Sequence, residues 1–163
     1  MNPIGGRIAW WLVLSFGVVL AFSGRGAAGA QAESPRTFLA DIYTHYTDAE
    51  APVLAWNGED APALFEPRLA HAIVADSDQA AQGGEVSAVL DYDPFVQGQD
   101  YEIRGLTISM EETTSRTATV LVTFRNTGKP VAIRFELVRV EEGWRVRDMR
   151  WGKTSLRALF RLR

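Results

Sequence analysis

The rhythm of hydrophobic and polar positions changes once along this chain, dividing it into a helical half and a strand half. Ser34-Pro35 supplies an N-cap followed by proline at the first helical position. Phe38, Ile42 and Tyr46 then recur every four residues, with Leu39 and Tyr43 beside them. That spacing predicts a helix with one apolar face, ending between Asp48 and Pro52. Asn57-Gly58 is a turn signal. A second helical region is predicted from Asp60 to Asp76, with Leu64, Phe65, Leu69, Ala72 and Ile73 facing inward. Pro67 cannot donate a backbone hydrogen bond, so this region reads as two short helices or one kinked helix. The polar run "ADSDQAAQGG", Ala75 to Gly84, reads as a flexible connection or a frayed helix end, and Glu85 to Leu90 as a helix or a brief edge strand.

After "LDYDPFVQGQDYEI" (Leu90 to Ile103) the period becomes two and stays so. Tyr101 and Ile103 alternate with charges, then Leu106, Ile108 and Met110 alternate on the other parity. Gly105 sits where the phase slips, as a β-bulge requires. Ala118, Val120, Val122 and Phe124 form the apolar side of the next strand. The turn "NTGKP" leads to Val131, Ile133, Phe135 and Leu137, and "EEG" leads to "WRVRDMRW". About four long antiparallel strands with one buried face follow, and the earlier helices must cover that face. The predicted class is α+β, with N-terminal helices laid across a curved sheet.

The first thirty residues change the picture of where this domain resides. Arg7, an apolar run from Ile8 to Phe22, and small residues in "SGRGAAGAQA" have the layout of a secretory leader. The A-x-A patterns place cleavage after Ala30 or after Ala32, leaving one domain over 33–163. The apolar run is about 15 residues, short of the roughly 20 that a spanning helix needs; an uncleaved N-terminal anchor is the alternative. The chain contains no cysteine, so an exported domain here relies on its core and not on disulfides. The expected address is the periplasm or the medium.

Charge is divided as sharply as periodicity. Residues 33–112 carry 16 acidic and 3 basic side chains, and residues 113–163 carry 4 acidic and 12 basic. Either the rims of two packed halves attract each other, or the basic half presents a surface for anions. A net acidic, exported domain lacks the footprint of a nucleic-acid binder.

Helix, broken helix and long strands ending in Gly143, Trp144, Arg145, Val146, Asp148 and Met149 resemble the nuclear-transport-factor-two-like, or cystatin-like, superfamily. "FLADIYTHY", "LFEPRLA", "LDYDPFVQGQDYEI" and "WGKTSLRALF" together resemble a bacterial family of exported domains, domain of unknown function 3828. The resemblance covers nearly all of the mature chain. It implies a cone-shaped α+β fold with a cavity at its open end, and no catalytic residues carry over with it. Superfamily members include enzymes, adaptors, immunity proteins and binding domains, so fold alone does not select a function.

Candidate chemistry is sparse. Asp91 and Asp93 are spaced like the start of a calcium loop, but Phe95 and Val96 stand where a third ligand and a glycine are needed. Asp91, Asp93, Pro94, Phe95 and Asp100 therefore read as turn chemistry, with Phe95 plugging the core. Asp148 is in phase with Trp144 and Val146, so an unbroken strand points it inward. A carboxylate in apolar surroundings has a raised pKa and suits acid–base work, with Tyr43 or Tyr101 as proton donor. Met149 and Trp151 hold the opposite parity, so a bulge would turn Asp148 outward, toward an ion pair with Arg134 or Arg139. Tyr46, Trp144 and Trp151 are candidate ligand-binding aromatics, with a core role as the alternative. His45 and His71 are the only histidines, without zinc spacing, and no metal or cofactor is expected. The basic amphipathic tail "SLRALFRLR" caps the domain or touches a membrane or partner. Taken together, the residues favour noncatalytic binding of a small ligand or protein partner at the cone mouth or sheet face. An Asp148-based isomerase or dehydratase-like enzyme and a structural homodimer are the alternatives.

Overall fold

A computed structural model of the chain describes residues 33–83 and 89–162. The expected leader and most of the Glu85–Leu90 segment lie outside the described residues. The first helix, α1, spans Pro35–Thr47. Ser34 is extended, and its hydroxyl accepts the Thr37 N–H at 3.0 Å, a cap worth about 1 kcal/mol. Phe38, Leu39, Ile42, Tyr43 and Tyr46 are the buried stripe.

The second helical region is broken at the proline, into α2 (Ala61–Leu64) and α3 (Pro67–Gly83). Between them Phe65 is extended and bridges Val146 in parallel, and the Glu66 N–H donates to the Val146 carbonyl at 2.9 Å. The break thus fastens the helical layer to the edge of the sheet. α3 continues to Gly83, beyond the expected end at Asp76. Alanine and glutamine are good helix formers, so a polar stretch extends the helix into solvent without ending it.

The sheet contains β1 (Ile103–Thr113), β2 (Thr117–Asn126), β3 (Lys129–Val140), β4 (Gly143–Trp151) and a two-residue β5 (Thr154–Ser155), followed by one helical turn, α4 (Leu156–Leu159). The order is β1-β2-β3-β4-β5, and each neighbouring pair is antiparallel. The fold is α+β, with helices packed against an open five-stranded sheet of four long strands and one short one. Gly105 has φ +66°, and the β1–β2 register slips between Arg104 and Thr107, as its position between two parities anticipates. A second slip lies on β4. Leu137 pairs with Val146 but Glu136 pairs with Asp148, so Arg147 is the extra residue.

The layer between helices and sheet is filled by rings. Tyr43 meets Phe124 at 5.7 Å and Phe135 at 6.4 Å between centroids. Phe95 stacks on Phe135 at 6.1 Å and lies 5.7 Å from Phe65. Tyr43, Phe65, Phe95 and Phe135 are fully buried, each stabilising the fold by roughly 1.5–3 kcal/mol. The opposite face of the sheet is polar, crossed by Arg134–Glu111 and Arg150–Glu136 pairs, both at 2.7 Å. Among the described residues no helix is long and apolar enough to cross a membrane.

Candidate functional site

The loop from Leu90 to Asp100 is held by hydrogen bonds within itself and from other elements. The Asp93 N–H donates to the Gly98 carbonyl at 3.1 Å, and the Gln97 N–H returns to the Asp93 carbonyl at 2.9 Å. Asp93 Oδ1 accepts the Phe95 N–H at 2.8 Å. That is the aspartate turn chemistry read from Asp-Pro. Gln97 takes a left-handed φ of 57°, which costs a non-glycine residue about 1 kcal/mol or more. It is held there by the ring of bonds around it. A Cβ on Gly98 would stand 2.9 Å from the Asp100 carbonyl oxygen, so only glycine fits.

Distant side chains anchor this loop from outside. The Tyr43 hydroxyl donates to the buried Phe95 carbonyl at 2.9 Å. Asn126, at the end of β2 and buried, donates to the Val96 carbonyl at 2.9 Å and accepts the Glu102 N–H at 2.9 Å. The Tyr46 hydroxyl donates to Asp93 Oδ2 at 2.6 Å. Asp93 therefore has two tasks, one oxygen capping its own turn and the other receiving α1.

This pair is electrostatically unusual. Burial pushes the Asp93 carboxyl up to about 6, against the opposing pull of the Tyr46 and Phe95 hydrogen bonds. Burial, and then the Asp93 charge, raise Tyr46 far above an ordinary phenol. The proton stays on the tyrosine, which acts as donor. Tyr43 is raised in the same way, by burial first and Asp93 second. Tyr101, 45% exposed, stands edge-on to Tyr46 at 5.2 Å.

The loop separates two open grooves. One, of about 520 Å³, runs between the loop, the Trp56-Asn57 turn and the Ser77 to Ala81 side of α3. The other, of about 710 Å³, lies toward Asn126 and Lys129. Asp91, Tyr92 and Gln99 line both.

Asp148 is elsewhere. The Arg147 bulge removes it from the parity of Trp144 and Val146, and Met149 takes the inward position opposite Phe135. Of the two arrangements that the sequence left open, the bulge is the one present, and the inward Asp148 of an unbroken strand is not. Asp148 is nonetheless buried, beneath the C-terminal turn. Oδ1 accepts the N–H groups of Met149 (2.9 Å) and Arg157 (3.0 Å), and Oδ2 accepts the Ser155 hydroxyl (2.6 Å). Its ion-pair partner is Arg150 at 3.2 Å, not Arg134 or Arg139. Arg134 binds Glu111 instead, and Arg139 lies over the Trp144 ring at 5.8 Å. These contacts make Asp148 the post that holds α4 and β5 onto the sheet.

Of the residues singled out in the sequence, Tyr43, Tyr46, Tyr101 and the Asp91–Asp100 turn converge. Asp148 and the two tryptophans do not join them. Trp144 is a core residue whose indole N–H donates to the Glu33 carbonyl at 2.9 Å, and Trp151 packs half-buried at the end of β4. The structure adds Asn126 and Trp56 to the loop's surroundings, and Tyr92 within the loop to the groove it borders. Their local signals were for turns: Asn126 opens "NTGKP", Trp56 precedes Asn57-Gly58, and Tyr92 stands inside "LDYDPF".

No protein-family model and no curated protein matches the chain. Two solved structures are similar to it. The type VI native effector–immunity complex Tae3-Tai3 from Ralstonia pickettii contains a chain with 19% identity and a TM-score of 0.47; the match covers 74% of this chain and 98% of that one. A phospholipid-binding protein from Ralstonia solanacearum, solved with a phospholipid, has 17% identity and a TM-score of 0.31, covering 63% of this chain and 53% of that one. Both likenesses are loose, and what each of those proteins binds stays with that protein.

Proposed function

We propose that this chain is an exported, noncatalytic binding domain that engages a protein partner through the surface around the Asp91–Asp100 loop. In this reading the leader is removed after Ala30 or Ala32. The remainder is a cone-shaped domain of the nuclear-transport-factor-two-like kind, from the exported family that its four sequence segments resemble. One observation carries the choice of partner. The layer between helices and sheet is filled by Tyr43, Phe65, Phe95, Phe124 and Phe135, leaving binding to the outer surface. There a rigid loop, held by three side chains from other elements, stands between two grooves. Pre-ordered loops on a rigid scaffold are where recognition is commonly placed, because little ordering entropy is then lost on binding.

A second reading, acid–base catalysis, is favoured by the Tyr46–Asp93 pair and its carboxyl near 6 rather than by Asp148. Against it, both oxygens of Asp93 already receive protein donors.

Native mass spectrometry of the full chain purified from its own host tests the proposal. We expect a mass beginning at Gln31 or Glu33 and a protein partner that is lost from Tyr92→Ala, a half-buried groove residue. A partner retained equally by Tyr92→Ala, a homodimer alone, or a tightly held small molecule in place of a protein would overturn it.

A further inference from the structure

We infer that the groove between α3 and the Asp91–Asp93 limb of the loop receives an arginine or lysine side chain from the partner, seated between Trp56 and Tyr92 and facing Asp91 and Asp93. This rests on the protein-binding reading above and names the chemistry of the contact. Several features of the groove converge on a cation.

Its walls carry two aromatic residues, Trp56 and Tyr92, and two carboxylates, Asp91 and Asp93, and none of the described residues lining it is basic. Aromatic faces attract guanidinium and ammonium groups through the ring quadrupole, and most strongly so for tryptophan. Asn57 and Gln99 add amide oxygens that accept hydrogen bonds from such a donor. At about 520 Å³ the groove is large enough for a long side chain and part of the backbone bearing it.

Five of the chain's carboxylates form ion pairs among the described residues, and the two of the groove are among those that do not. Glu66 is paired with Arg157, Glu102 with Arg104, Glu111 with Arg134, and Glu136 and Asp148 with Arg150. Among the described residues, Asp91 and Asp93 have no such cation. The Asp91 carboxylate is exposed and makes no hydrogen bond there, and the Asp93 carboxylate receives only neutral donors. Residues 33–112, which supply the whole groove, carry a large excess of acid. Such a surface draws basic partners by long-range attraction as well as by contact.

Two peptides that differ only in charge provide the test: a Gly/Ser peptide bearing arginines, and the same peptide with citrulline at each arginine. Binding to the purified full chain is followed by calorimetry and by tryptophan fluorescence, at low and at physiological salt. The arginine peptide is expected to bind and to weaken with salt, and citrulline to abolish binding. Asp91→Asn and Trp56→Leu should each weaken it about three- to tenfold. Asp91→Asn should leave thermal unfolding unchanged, because that side chain is exposed and unbonded. Equal binding of the two peptides, or no arginine-peptide binding at millimolar concentration, overturns the inference. If that happens while Tyr92→Ala still strips the native partner, the binding function stands and only its chemistry is wrong. If the arginine peptide binds but the native complex survives Tyr92→Ala, the groove chemistry stands and the proposed function does not.

Discussion

Replacing Asp93 by asparagine should stabilise this domain at neutral pH and leave it unchanged in acid. The folded carboxyl sits at about 6, against an ordinary value of 3.8. Between those values the folded chain keeps a proton that the unfolded chain has released. Stability therefore falls as pH rises through that window and is level above it, the reverse of a salt-bridged aspartate. At about 1.4 kcal/mol for each tenfold change in proton affinity, the ceiling is about 3 kcal/mol. Asp93 lines an open groove, so solvent screening reduces the expected effect to about 1–2 kcal/mol. Asparagine keeps an oxygen for the Phe95 N–H, and its amide faces a Tyr46 hydroxyl that can turn to accept. The assay is urea unfolding of wild type and Asp93→Asn at about pH 4 and about pH 7.5, read as the difference between proteins at each pH. That difference cancels every other titrating group. An advantage for asparagine only at the higher pH is expected. Equal differences at both pH values, or a variant less stable at neutral pH, would refute this account of the burial of Asp93.

Asp148→Ala would leave the Met149 and Arg157 N–H groups and the Ser155 hydroxyl without their acceptor, and about 3 kcal/mol or more of stability should be lost in denaturant unfolding. Hydrogen exchange should show α4 and β5 opening first in that variant. Tyr43→Phe removes the donor to the buried Phe95 carbonyl and should cost about 1–2 kcal/mol, with faster amide exchange in the Asp93–Gly98 turn.

The sheet was legible because a strand with one buried face must alternate, and Val120, Val122 and Phe124 or Ile133, Phe135 and Leu137 leave no other choice of face. Gly105 showed its bulge as a slip of parity. The β4 bulge had the same signature, since the inward residues run Trp144, Val146, Met149, with a step of three in place of two. The opposite parity of Met149 and Trp151 carried that step in the sequence, as the alternative to an unbroken strand. The loop's role was hidden for a different reason. Asp93 meets Tyr46 across 47 positions, and Asn126 meets Val96 across 30. No periodicity records a contact between a helix, a turn and the far end of a strand. Asp-x-Asp-Pro reads as a turn in sequence, yet one of its carboxylates also receives a tyrosine, and only the three-dimensional arrangement brings that tyrosine near. The groove was hidden likewise, because its walls come from three segments that share no motif.

The dependence of α1 on distant residues has a kinetic consequence. α1 is the first described helix to emerge during synthesis, yet its buried rings rest on Phe95, Phe124 and Phe135. Thirteen residues are marginal as a helix in water without such packing. Until the third strand has emerged, α1 has almost nothing to fold against, so the chain must wait open through most of its length. Contacts of such long sequence separation make for slow, all-or-none folding. A chain of this kind stays open while its helices are made and closes only when the strands that carry Phe124 and Phe135 can meet α1.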